Sequence, residues 1–159
     1  MARDAGRLMK NPRRGERANG VIRELSEADQ QATVVLLSRQ PAMNLYLLGN
    51  LETLGFENSL CQFWGDFGED GTLRAVLNRY MSGWALFGTP DADWAALAAT
   101  LEQHPMTAER LQDNPGGIAS ILPWLSRYQA VKVSEEELMQ LDAATFRPRP
   151  APATVRVRQ

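Results

Sequence analysis

The stretch from Leu60 to Gly88 most constrains what this chain can fold into. Residues 60–67 read Leu-Cys-Gln-Phe-Trp-Gly-Asp-Phe, and Gly68-Glu69-Asp70-Gly71 makes a turn. The chain resumes as Leu73-Arg74-Ala75-Val76-Leu77-Asn78-Arg79-Tyr80. A second turn at Ser82-Gly83 leads into Trp84-Ala85-Leu86-Phe87. Three runs of aromatic and branched residues, separated by Gly-bearing turns, predict an antiparallel meander. Alternation places Phe63 and Phe67 on one face and Trp64 on the other. One face is expected to be core. The other, with Trp64, has two readings: further core, or the lining of a cleft or interface.

Before the meander, Val21–Leu25 alternates as a short strand. Ser26 then caps a helix with Glu27 and Asp29 in its first turn, where the helix dipole favours acids. Ala32, Val35, Leu36 and Leu37 are expected on its buried face, and Pro41 ends it. Pro41 also suits the start of a second helix over residues 42–54. Leu47, Leu48, Leu51 and Leu54 form its apolar stripe, and Gly55 is a C-cap. Asn44, Gly49 and Asn50 interrupt that helix with poor helix formers. Either the glycine permits close packing and the asparagines bond to the neighbouring sheet, or they are polar handles in a cleft.

After the meander, Thr89-Pro90-Asp91 signals a third helix through Trp94, Leu97, Ala98 and Leu101 to His104, with Pro105 stopping it. A strand is expected over residues 106–111, a turn at Asn114-Pro115-Gly116-Gly117, and a short helix over residues 118–125. Residues 128–133 read as extended and residues 137–142 as a last strand. The Arg-Pro-Arg-Pro-Ala-Pro-Ala run from Arg147 has the composition of a linker, and Val155-Arg156-Val157-Arg158 alternates like the start of another strand.

Composition narrows the function classes. No run approaches the ~20 apolar residues of a membrane span, and no apolar stretch follows the basic N-terminus as in a secretory signal. A single cysteine, Cys61, forbids an intrachain disulfide and fits a reducing cytoplasm. One cysteine and one histidine rule out a His/Cys zinc site. The net charge of −2 hides a segregation: residues 1–19 and residues 147–159 each carry +4, and residues 20–146 carry −10. So acidic a body repels a nucleic-acid backbone, and the basic ends read as solvated extensions. The expected organisation is a disordered basic extension over 1–19, one α/β domain over 20–146, and a linker with a possible strand start over 147–159.

The predicted order is strand, helix, helix, three-strand meander, helix, strand, helix, strand. It resembles the GCN5-related N-acetyltransferase (GNAT) fold, an acyl-CoA N-acyltransferase fold with a central mixed sheet flanked by helices. The runs Pro41–Leu51, Phe63–Phe67 and Leu73–Tyr80 look like the N-terminal, degenerate half of two-domain bacterial GNAT proteins. The resemblance covers residues 20–146, and Val155–Arg158 resembles the first strand of the second, catalytic half. It implies an acetyl-CoA-dependent family in which the catalytic half carries out attack of an amine on the thioester. It further implies that this domain packs on that half and lines the acceptor site, with Asn44, Asn50, Trp64 and Tyr80 as cleft candidates.

GNAT catalysts hold the CoA pyrophosphate on a Gln/Arg-x-x-Gly-x-Gly/Ala loop at a helix start. The matching stretch here, Leu86–Asp93, has one glycine, no Arg or Gln at the offset, and Pro90 in place of an N–H donor. Asp91 and Asp93 set negative charge where an anion would sit. No cofactor is therefore expected on this domain, and no catalytic residue or metal site is assigned. A stand-alone binding or dimerisation module of this fold and an active transferase with an atypical loop are the alternatives. His104 reads as a helix cap or a general base, and Cys61 as a buried thiol.

Overall fold

The computed structural model describes residues 20–113, 115–132 and 134. The expectations for residues 1–19, 137–142 and 147–159 lie outside the described residues.

Five strands form one mixed sheet in sequence order: β1 (Val21–Glu24), β2 (Cys61–Phe67), β3 (Leu73–Tyr80), β4 (Gly83–Gly88) and β5 (Arg110–Gln112). The first four are antiparallel, and β5 lies parallel to β4. The meander thus forms where the aromatic runs and glycine turns place it. Gly71 takes φ 78°, the left-handed conformation that the β2–β3 turn requires. The β3–β4 turn differs from expectation by one residue. Its corners are Met81 and Ser82, because Tyr80 pairs with Gly83 and Gly83 belongs to β4.

Helices cover both sheet faces. On one side lie α1 (Gln30–Leu37) and α2 (Leu45–Leu54); on the other lie α3 (Trp94–Gln103) and α4 (Pro115–Ile121). Leu36, Leu37, Leu47, Leu51 and Phe56 pack on Cys61, Phe63, Leu73, Val76 and Phe87. Leu97, Ala98, Leu101 and Ile121 pack on Ala75, Leu77, Trp84 and Leu86. The product is a three-layer α/β/α arrangement with a core on each side of the sheet.

Ser26 is the N-cap as expected, and it forms a capping box with Asp29 around a single 3₁₀ turn that precedes α1. The buried face of α1 is Thr33, Leu36 and Leu37, whereas Val35 and Ala32 are exposed. Thr33 sits inside because its hydroxyl donates to the Asp29 carbonyl at 2.9 Å, so it brings no unpaired polar group with it. The second helix begins at Leu45, three residues later than expected, and Gly55 closes it with φ 65°.

Two downstream expectations are corrected. The fifth strand is only Arg110–Gln112. The stretch Pro115-Gly116-Gly117 is the first turn of α4, with proline at the position where its missing N–H costs nothing. Residues 128–132, read only as extended, form no strand.

Candidate functional site

Two polar constellations stand out, at opposite ends of the sheet face covered by α3 and α4. The first is at the start of α3. Asp66 is fully buried, and its Oδ1 accepts from an Arg74 terminal nitrogen at 2.7 Å. Its Oδ2 accepts the Asp93 backbone N–H at 2.8 Å, while Asp93 Oδ1 caps the helix by accepting the Ala96 N–H at 3.0 Å. The loop before the helix closes on itself: Thr89 N–H donates to the Arg74 carbonyl and Ala92 N–H to the Thr89 carbonyl. A Cβ on Gly88 would lie 2.8 Å from the Trp94 ring and 3.0 Å from Ala75 Cβ. The one glycine of this loop therefore serves indole packing.

The second constellation is at the far end of the same face, where alternation brings Gln62, Trp64, Arg79 and Trp84 together. Trp64 and Trp84 stack with centroids 5.5 Å apart and planes 20° apart. His104 stands edge-on to both, at 5.7 Å and 5.3 Å. Gln62 Oε1 accepts from Arg79 Nε at 3.1 Å and lies 3.2 Å from His104 Nε2. The Met106 backbone N–H donates to His104 Nδ1 at 3.1 Å. Nδ1 must therefore carry the lone pair, which assigns the proton to Nε2 and the Nε2–H bond to Gln62. Burial, and then the nearby Arg79 guanidinium, lowers the His104 pKa below its ordinary value. A hollow of about 200 Å³ beside it is lined by Glu102, His104, Pro105, Thr107, Arg127 and Tyr128.

The four cleft candidates do not meet. Asn44 is 2% exposed, and its Nδ2 donates to the Leu37 carbonyl at 2.8 Å, holding the α1–α2 connection. Asn50 Nδ2 donates to Asn78 Oδ1 at 2.8 Å. Asn78 in turn donates to the Gln62 carbonyl at 3.0 Å and to Cys61 Sγ at 3.2 Å. Both asparagines are joints on the α1/α2 side. Trp64 is on the opposite face, partly buried and stacked on Trp84 against the second core. Tyr80 ends β3 on the α1/α2 side with its ring exposed.

His104 is the backbone C-cap of α3, but its ring serves the tryptophan pair. Burial raises the pKa of the Cys61 thiol, as befits an inert core cysteine. Among the described residues no cluster of three or more His, Cys, Asp or Glu side chains fits a metal ion, and no helix is long and apolar enough to cross a membrane.

The sequence reading missed Gln62, Arg79 and Asn78. The first two were within reach, since they fall in phase with Trp64 and Trp84 on adjacent strands. Asn78 was not, because a polar residue at a core position carries no local signal of its partner. Compared with known proteins, the sequence matches no family model and no curated protein.

Proposed function

We propose that residues 20–146 are a GNAT-like domain without a cofactor of its own, whose task is to pack on an acetyl-CoA-dependent catalytic domain and help wall its acceptor site. The observation that carries this reading is the occupied start of α3. A catalytic member of that fold presents free backbone N–H groups there to a pyrophosphate. Here Asp66 takes the Asp93 N–H and Asp93 takes the Ala96 N–H, so the helix start already holds two carboxylates of its own. The antiparallel meander followed by α3 and a parallel β5 supports the fold part of the reading.

A packing role is supported by exposed apolar side chains on and between the first two helices: Val35 on α1, Met43 in the connection, and Leu45 and Tyr46 on α2. The same ridge suits a homodimer, which is the second reading.

The test is a thermal melt with and without millimolar acetyl-CoA, alongside light scattering of the purified chain. Ligand at 100 times its dissociation constant would stabilise the protein by ~2.7 kcal/mol. We expect no shift. A clear rise would overturn the cofactor-free reading in favour of an active transferase with an unusual loop. A dimeric mass would favour the second reading over the first.

A further inference from the structure

Arg79 is only 3% exposed, yet among the described residues no carboxylate comes within ion-pair distance of its guanidinium. Arg23 and Arg74 each have one. The donors of Arg79 go to neutral acceptors. Nε reaches Gln62 Oε1, Nη2 reaches the Ser59 carbonyl at 2.8 Å, and Nη1 reaches the Met81 carbonyl at 3.0 Å and Met106 Sδ at 3.1 Å. A cation held out of water with no counter-ion is unfavourable, and a thioether is a weak acceptor for it.

The surroundings make this corner accessible. Met106 is 43% exposed and lies on the connection between α3 and β5. Met81 adopts φ 55°, where a residue with a side chain is strained, and its carbonyl is one of the groups held on Arg79. Its N–H donates to the Leu60 carbonyl at 3.0 Å, and both side chains are more than half exposed. Strain, an unpaired buried cation and an exposed apolar rim coincide at one place.

We propose that this corner, built from Arg79, Met106, Met81 and Leu60, docks a segment of a partner polypeptide in which an acidic side chain lies between apolar residues. The partner's carboxylate replaces the Met106 sulfur on Arg79 Nη1, and its apolar neighbours pack on Leu60 and the two methionines, whose side chains repack readily. Charge selects this occupant, since a neutral segment leaves the guanidinium unpaired and a basic one is repelled. The proposal does not depend on the acetyltransferase reading.

The test uses the full chain with ¹³C-methyl methionine and two peptides, acetyl-Leu-Glu-Leu-amide and acetyl-Leu-Gln-Leu-amide. The Glu peptide is expected to shift the Met81 and Met106 methyl signals, saturating about tenfold earlier than the Gln peptide. Met106→Glu supplies the carboxylate internally, and should raise Tm by about 3 °C while removing the response to the Glu peptide. Equal responses to the two peptides, or none, would overturn the proposal. So would a folded Met106→Glu variant with lowered Tm and an undiminished peptide response. Shifts of Met81 and Met106 with protein concentration alone would also overturn it, and would assign the corner to a second copy.

Discussion

Arg74 meets the Asp66 carboxylate at 2.7 Å although the two residues are not paired across their strands. Asp66 opposes Ala75 and Phe67 opposes Leu73, so Arg74 is the extra residue of a β-bulge. The bulge turns its side chain toward Asp66, whose other oxygen holds the start of α3. One irregularity in the sheet thus fixes where the helix begins.

Asp66→Asn should cost about 3–5 kcal/mol, because it strands the Arg74 guanidinium in the interior. Urea unfolding measures the loss. Adding Arg74→Met to that variant should restore much of it, since an apolar replacement of a buried ion pair is often close to neutral. Failure of the second change to restore stability would mean that the pair is held for some other purpose.

Two glycines should respond to alanine in opposite directions. A Cβ on Gly49 meets nothing within 4 Å, so that helical glycine makes no close approach, which removes the close-packing reading for it. Gly49→Ala should stabilise by about 0.5–1 kcal/mol. Gly88→Ala drives a methyl into Trp94 and Ala75, and should destabilise by about 1–3 kcal/mol. Thermal melts of both variants decide the matter.

Asn50→Ala leaves Asn78 Oδ1 without its partner in a half-buried site, at a cost of about 1–2 kcal/mol. Chemical denaturation of the purified domain should show this loss with no ligand present. An unchanged midpoint would return Asn50 to the cleft residues.

Acid should weaken the fold in two separate windows. The Arg23 guanidinium, followed by bonds from Ser26, lowers the Asp29 pKa to about 2 from 3.8. Its contribution is complete above the unfolded pKa and is lost as pH falls from about 4 toward 2. With Arg23 half-exposed, that contribution is on the order of 1–2 kcal/mol. The neutral form of His104 is also favoured, so stability should begin to fall as pH drops below 6.5. A denaturation series across pH, repeated on Arg23→Gln and His104→Gln, should lose the lower window in the first variant and the upper one in the second.

The meander, the first helix cap, the α2 stripe and the Gly55 stop were legible in the sequence because each is a local pattern. Period-2 runs, a capping serine followed by acids and leucines at helical spacing contain their own evidence. The buried face of α1 was not, because Thr33 is admitted by a bond to the Asp29 carbonyl that only the formed turn supplies. The short fifth strand was not either: its three residues are chosen by pairing with β4. Asn44 and Asn50 were rightly marked as residues in need of partners. Their partners, the Leu37 carbonyl and Asn78, lie in other elements, and those bonds make them joints. Trp64 was placed on the correct face, but what covers that face is set by α3 and α4, far along the chain.

Asp66 divides its oxygens between β3 and α3, and this bears on the order of assembly. In a β2–β3 hairpin formed alone the Asp66 carboxylate still faces water; docking of α3 takes it out of water, and α3 docked without Arg74 would rest on an uncompensated charge. The ion pair must therefore be in place where the helix lands, so the register of the hairpin and the seat of α3 are set by the same carboxylate.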